Sequence, residues 1–229
     1  MTKTTQTTST ERRTPLSRDR VMRAALALVD EGGMGALTMR RLGRSLGVEA
    51  MALYRHVTNK DEIVDGLVDL VFEEIGVPAD DVGWKSAMRQ RAISLREVLT
   101  RHRWAVGLME SRPNPGRANL RHHDAVIGNL RAAGFDMAMA AHAYALLDAY
   151  IYGFAMTHMA LLFDTATPGE VAEMAEGMLR AFPVNEFPNL AAFISEHAMQ
   201  PGYDHGDEFE FGLDLILDGL ERASTEPSR

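Results

Sequence analysis

Between Thr38 and Lys60 the chain concentrates groups suited to one kind of chemistry. Arg40, Arg41, Arg44, Arg55 and Lys60 bring five positive charges against the single carboxylate of Glu49, and Tyr54 and His56 add polar rings. Guanidinium and ammonium groups hold phosphate oxygens, and arginine can also read a guanine edge. No comparable arrangement for catalysis is visible. The absence of cysteine removes disulfides, thiolate metal sites and a thiol nucleophile together. No phosphate-cradling glycine loop, nucleophile elbow or HExxH occurs either. The eight histidines do not make a metal site: His122 and His123 cannot point the same way on a helix, and His142 and His158 lie too far apart along one helix to share an ion. No enzyme activity, metal or cofactor is expected.

Taken alone, the net charge of -8 opposes a nucleic-acid partner. Its distribution reverses that reading. Residues 1–60 hold 11 Lys and Arg against 5 Asp and Glu, whereas the remainder holds 13 against 27. Charge segregated in this way suits a chain of which one end meets DNA.

The elements that must position these groups are helical. Ser17 can cap a first helix carrying Val21, Ala24, Ala25, Leu28 and Val29, which Gly32-Gly33 stops. Thr38 caps a second, with Met39, Leu42 and Leu46, and Gly47 supplies the turn. A third, from about Glu49 to His56, is too short to stand alone. Asn59 caps a fourth, with Ile63, Leu67, Leu70 and Val71, ending near Gly76-Val77-Pro78. Longer helices then follow at about 82–101, 103–110, 115–133, 136–163, 168–181, 187–198 and 206–222, with no period-two stretch of strand length. The fold class is therefore all-α: a three-helix DNA-binding domain linked by a fourth helix to a larger helical domain. The expected divisions are a flexible arm at 1–16, the DNA-binding domain with its linking helix at 17–76, a regulatory domain at 82–223 and a flexible tail at 224–229.

TMRRLGRSLGVEAMALYRHVTNKDEI has the features of a helix-turn-helix: two short amphipathic helices around a glycine turn, the second slim enough for a major groove. Leu42, Leu46, Val48 and Leu53 would form the core that sets their angle. Ala50, Met51, Ala52, Tyr54 and Arg55 would face out, with Arg40, Arg41, Arg44 and Lys60 placed for phosphates on either side. LTMRRLGRSLGVEAMALYRHVTNKDEIVDGL resembles the DNA-binding domain of the tetracycline-repressor (TetR) family, in its Leu-Tyr-x-His-Val ending, Asn-Lys and following acidic-apolar helix. The resemblance covers about residues 17–75, and a weaker likeness in SRPNPG, NLRAAGF and the Gly153 region extends it. It implies that Thr38, Arg40, Ala50, Met51, Ala52, Tyr54, Arg55, His56 and Lys60 fall at DNA-contacting positions. Ala52 and Arg55 depart from the founding repressor, so the docking mode carries over and the operator sequence does not.

One short reading helix makes few contacts, so a homodimer on a palindromic operator is expected. The helices at about 136–163 and 207–222 are the interface candidates, with apolar faces of Ala143, Leu146, Leu147, Tyr150 and Phe154 in one and Phe211, Leu213, Leu215, Ile216 and Leu220 in the other; Ala143, Leu147, Tyr150, Phe154, Leu213, Ile216 and Leu220 are the expected interface residues, and burial inside one subunit is the competing reading. The resemblance implies a four-helix dimer bundle from these two helices of each subunit. Residues 84–133 are the expected sensor of a small-molecule effector, with Arg91, Leu95, Trp104, Leu108, Met109, Ser111, His122 and Val126 as candidate lining, against ordinary packing. In tetracycline-binding members a histidine just upstream of a Thr-Arg-Pro turn holds a drug-bound magnesium. GLMESRP places Leu108 there, which argues against tetracycline–magnesium as the effector.

The expected action is repression relieved when ligand shifts the linking helix and the two reading helices no longer match a spacing of about 35 Å. Activation, and a helical binding protein without DNA activity, stay open at this stage. No apolar run approaches the roughly 20 residues needed to cross a bilayer, and the first ten residues are polar, so a cytoplasmic protein without a membrane partner is expected.

Overall fold

A computed structural model describes residues 15–77, 82–160, 177, 182–200 and 202–225. The described residues are all-α. The chain divides into two compact units, Met1–Leu67 and Val68–Arg229.

The first unit holds α1 (Arg18–Gly32), a 3-10 turn at Met34–Ala36, α2 (Met39–Leu46), α3 (Ala50–Leu53) and the start of α4 (Lys60–Glu74). Its helix starts are set by side chains that replace missing backbone partners. Ser17 Oγ accepts from Arg20 N at 3.2 Å, Thr38 Oγ1 from Arg41 N at 3.2 Å, and Asn59 Oδ1 from Glu62 N at 2.8 Å. Glu62 in turn accepts from Thr58 N at 2.6 Å and pairs with Arg18 on α1 at 3.3 Å. The Thr58 amide bond first, with Arg18 adding to it, holds the Glu62 carboxyl below its ordinary range. Gly47 ends α2 at φ 68°, a conformation that favours glycine. Leu42 and Leu53 are fully buried between α2 and α3, as expected, while Leu46 and Val48 are only half-buried. Val21, Ala25, Val29, Val57, Ile63 and Leu67 complete this core.

The second unit contains the last residues of α4, α5 (Trp84–Arg101), a 3-10 turn at Arg103–Ala105, α6 (Arg117–Ala132), α7 (Met137–Ala160), α8 (Pro188–Phe193) running into a π-turn at Ile194–Ala198, and α9 (His205–Thr225). A regular helix at 103–110 is not formed. After the 3-10 turn the chain continues in turns to Ser111, with Ala105 and Met109 pinned in the core. The expected helix at 168–181 lies outside the described residues apart from Gly177.

Val71 and Phe72 of α4, Met88, Leu95 and Leu99 of α5, Val126 and Leu130 of α6, Leu147 and Ile151 of α7, and Phe209 and Leu217 of α9 share one core. Polar contacts fix the helices around it. Arg89 bonds Glu210 at 2.6 Å and Asp214 at 2.9 Å, joining α5 to α9. The Tyr150 hydroxyl donates toward Phe209 O at 3.0 Å; a Cβ on Gly212 would sit 2.2 Å from that hydroxyl oxygen, so α7 and α9 meet closely only because Gly212 has none.

The interface expectation needs correction here. Ala143, Leu147, Leu213 and Leu220 are buried inside this single chain, and Tyr150, Phe154 and Ile216 are half-buried against the same core. Four of the seven therefore face neighbouring helices of their own subunit. The surface of the same two helices is lined instead by Leu146, Ala149, Gly153 and Met156 on α7 and by Phe211 and Leu215 on α9. A helix apolar on every side, as α7 nearly is, does not reveal by periodicity which face turns inward.

Candidate nucleic-acid interface and regulatory core

The turn between α2 and α3 is held by two backbone bonds, Gly47 N to Arg44 O at 3.1 Å and Val48 N to Gly43 O at 2.9 Å. Gly43 itself lies against the next helix: a Cβ there would be 2.8 Å from Val48 O and 3.1 Å from Ala50 N. That close approach fixes how α3 is mounted, and motif reading fastened on Gly47 and overlooked Gly43. A buried glycine four residues before the turn glycine, inside a helix it would otherwise weaken, was the available signal.

On this mount Met51 is 74% exposed and Tyr54 47% exposed, Arg55 is exposed, and Ala50, Ala52 and His56 are half-buried. Leu53, on the opposite side of α3, is the anchor, and burying such a side chain contributes about 1.5–3 kcal/mol. After Leu53 the chain continues in a turn, with His56 N bonding Leu53 O at 2.8 Å. The expected third helix is thus shorter than 49–56, although the turn keeps Tyr54 and Arg55 on the α3 surface. Thr38, Arg40, Arg41, Arg44 and Lys60 are exposed at the ends and outer side of α2 and at the start of α4. Among the described residues Arg40, Arg41, Arg44, Arg55 and Lys60 make no ion pair, in contrast to Arg18 and Arg23 of α1. Five uncompensated cations around an exposed short helix form a surface that attracts an anion.

The second unit brings together some of the expected ligand residues. Arg91, 2% exposed, donates from Nε to His122 Nε2 at 3.0 Å and from Nη2 to Asp148 Oδ1 at 2.6 Å, binding α5, α6 and α7 at one point. Burial first, then the adjacent Arg91 charge, lowers the His122 pKa to about 3, so this imidazole is neutral near neutral pH. Phe72 packs its ring 5.5 Å from His122, and Arg91 lies 5.9 Å from the centre of the Tyr144 ring. The Tyr144 hydroxyl hydrogen-bonds His123 Nδ1, and that of Tyr152 donates to Glu110 at 3.0 Å. Burial first and the neighbouring carboxylates second push both tyrosines up.

Leu95, Met109 and Val126 are buried in the surrounding core, and Trp104 and Leu108 are half-buried against it. Ser111 does not join them: it is exposed, and its hydroxyl turns back to Gly107 O and Leu108 O. Asp148 was missed. It is the one Asp, Glu, Lys or Arg in the apolar stretch Met137–Ala160, and a buried acid in such a helix demands a cation. A separate open cleft of about 400 Å³ is bordered by Arg96, Thr100, Phe154, His158 and Asp204 among others, and by none of the eight expected ligand residues. Among the described residues no group of three or more His, Asp or Glu is placed to hold a metal ion, and no helix is long and apolar enough to cross a membrane.

The core of the second unit also holds the second half of α4. Asp69 Oδ1 accepts from Asn119 N at 2.9 Å in the first turn of α6, and Glu74 bonds Arg101 at 2.8 Å and His102 at 3.2 Å. An acidic side chain supplied by another helix thus caps α6, whose own N-cap is Gly116. A Cβ on Gly116 would fall 2.1 Å from the Asp69 carboxyl carbon, so glycine admits this cap.

Residues 21–67 match the family described as "Bacterial regulatory proteins, tetR family", and residues 77–224 match "Tetracyclin repressor-like, C-terminal domain". The chain is 32% identical over 213 residues to the HTH-type transcriptional repressor DrrR1 of Streptomyces coeruleorubidus, spanning 90% of this chain and 77% of that protein. It is 31% identical over 212 residues to the class C tetracycline repressor protein of Escherichia coli, covering 90% and 91% of the two chains. Among solved structures, the TetR family protein ActR of Streptomyces coelicolor in complex with actinorhodin superposes with a TM-score of 0.74 at 29% identity, covering 93% of this chain and all of that one. With an α2–turn–α3 unit carrying cations that are unpaired among the described residues, and family matches that together span nearly the whole described chain, the protein is a DNA-binding transcriptional regulator that belongs to the tetR family.

Proposed function

We propose that the chain is a repressor that binds a palindromic operator as a homodimer and leaves it when a small molecule enters the second unit. The observation that carries this reading is the exposed surface of α3, with Met51, Tyr54 and Arg55 outward, flanked by Arg40, Arg41, Arg44 and Lys60, cations with no ion pair among the described residues. Tyr54 and Arg55 read base edges, the slim Ala50 and Ala52 let the helix sit deep in the groove, and the remaining cations and Thr38 hold phosphates. His56, half-buried in the turn after α3, positions that turn more than it reaches DNA. Residues 17–76 then hold the DNA-binding helices together with the linking helix α4, and 82–223 serve regulation and pairing.

Pairing uses the outer faces of α7 and α9. Leu146, Ala149, Gly153 and Met156 make a stripe of helical spacing, and Phe211 and Leu215 extend it with 66% and 56% of their surfaces exposed. A monomeric surface rarely leaves large apolar side chains aligned in this way.

Release runs through α4. Its second half is tied to the sensor core by Asp69 on α6, by Phe72 against His122 and by Glu74 on Arg101. A ligand that moves α6 therefore pulls on the helix that continues into the DNA-binding unit. The switch needs a ligand with different affinity for the two states, so ligand and DNA weaken each other reciprocally. ActR, solved with actinorhodin and with (S)-DNPA, supports a small organic effector for a chain of this architecture.

The test is selection of bound fragments from sheared genomic DNA, followed by salt titration on the best site and on scrambled DNA. A palindrome preferred by about a thousandfold or more, with a steep salt dependence, is the expected result. Equal, weak binding to every sequence would remove the reading.

A further inference from the structure

We propose that the Arg91–His122–Asp148 cluster is the recognition head of the effector site and selects a neutral ligand carrying a hydroxyl beside a carbonyl. The proposal rests on the regulatory reading above and adds to it the chemistry of the ligand.

Three buried polar atoms of this one hydrogen-bonded unit have no partner: Arg91 Nη1, His122 Nδ1 and Asp148 Oδ2. Buried polar groups are nearly always paired, so three orphans on adjoining residues mark the place of something that binds there. Their chemistry defines what it is. Arg91 Nη1 is a donor. His122 takes the Arg91 Nε–H on Nε2, so the neutral ring carries its proton on Nδ1, a second donor. Asp148 Oδ2 is an acceptor, its other oxygen being held by Arg91. The unfilled capacity is two donors and one acceptor.

Charge narrows the choice further. The guanidinium and the carboxylate already neutralise each other at 2.6 Å inside the core, with side chains 1% and 9% exposed. An added anion would meet the Asp148 carboxylate, and an added cation the Arg91 guanidinium, in each case without water to screen it. A hydroxy-carbonyl edge answers all three atoms without a net charge: its oxygens accept from Arg91 and His122, and its O–H donates to Asp148. The surroundings suit an apolar ring body, because the Phe72 ring lies against His122, the Tyr144 ring against Arg91, and the same core holds Leu95 and Val126. At the open cleft elsewhere in the unit, Arg96 is spent on Gly206 O and the Phe209 ring, and Arg101 on Glu74.

The experiment uses the full chain and three probes of one shape: 1-hydroxyanthraquinone, its 1-methoxy ether and anthraquinone-1-carboxylate, each titrated by calorimetry. The hydroxy compound is expected to bind at least about tenfold more tightly than either of the others, the difference made by one hydrogen bond to a charged group. In the double variant Arg91→Leu/Asp148→Leu, which leaves no lone buried charge behind, that preference should vanish while thermal unfolding shows a folded protein. Equal binding of the ether or the carboxylate, binding of none of the three, or an unchanged preference in the double variant would overturn the assignment. Each of these results leaves the DNA selection untouched. A chain that chooses a palindrome and is released by another class of molecule loses only the ligand assignment, whereas a chain that chooses no site loses the regulatory reading itself.

Discussion

Replacing Gly43 by alanine tests whether the α2–α3 geometry is set by the missing side chain. The new methyl carbon would stand 2.8 Å from Val48 O, 3.1 Å from Ala50 N and 3.3 Å from Ala50 Cα. All three are backbone atoms of the turn and of α3, so no flexible side chain can move aside, and restoring ordinary contact requires α3 to retreat by roughly half an ångström. Overpacking of this kind costs about 1–3 kcal/mol, against about 1 kcal/mol gained because alanine favours a helix over glycine. The net destabilisation is thus about 1 kcal/mol, or a fall in melting temperature of about 2–4 °C. The effect on DNA is larger, because base contacts depend on where α3 sits. Affinity for the selected site should fall by about tenfold or more, which is only about 1.4 kcal/mol. Fluorescence anisotropy at fixed salt measures the affinity, and thermal unfolding the stability. Gly128→Ala is the control: it lies on the exposed side of α6 with nothing within 4 Å of the added carbon, and should stabilise by up to about 1 kcal/mol with DNA affinity unchanged. A Gly43→Ala protein as stable as the parent and with undiminished affinity would refute the reasoning.

Thr38→Ala removes the cap on Arg41 N and should cost about 1 kcal/mol, read from urea unfolding. Arg91→Leu alone strands the Asp148 carboxylate and should destabilise by about 3–5 kcal/mol, whereas Arg91→Leu/Asp148→Leu should be close to neutral in the same assay. His122, neutral in the fold with its pKa lowered to about 3 by burial and then by Arg91, binds a proton more readily once unfolded. Its contribution is complete above the unfolded value of about 6.5 and is lost as pH falls from there toward about 3, with a slope approaching 1.4 kcal/mol per pH unit. Melting curves between about pH 7 and about pH 4 should therefore fall less steeply for His122→Leu than for the parent. Leu146→Glu together with Leu215→Glu places charge on the exposed apolar stripe. Sedimentation should show a monomer, and loss of DNA affinity should accompany it.

The helices and the DNA-binding turn could be read from local chemistry because each signal is local. Ser17, Thr38 and Asn59 accept the amides of the residues three positions on, and Gly47 adopts the positive φ that its place after Leu46 implied. Segregated charge and the TMRRLG–LGVEAMALYRH pattern then sufficed to indicate a partner for residues 38–60. Tertiary structure decided the rest. It turned Ala143, Leu147, Leu213 and Leu220 inward and left Leu146, Phe211 and Leu215 outside; on α7 the pattern could not say which, because a helix with apolar residues on every side can be rotated without changing its pattern. It separated Ser111 from the sensor core and brought Asp148 to Arg91 across 57 positions of sequence, a pairing that no spacing rule connects. It also showed that α6 is capped by Asp69 from α4, a contact 50 positions long that local reading of Gly116 could not supply. Caps and turns depend on neighbours along the chain; the direction a side chain faces, and the partner it finds, depend on which helices the core places beside it.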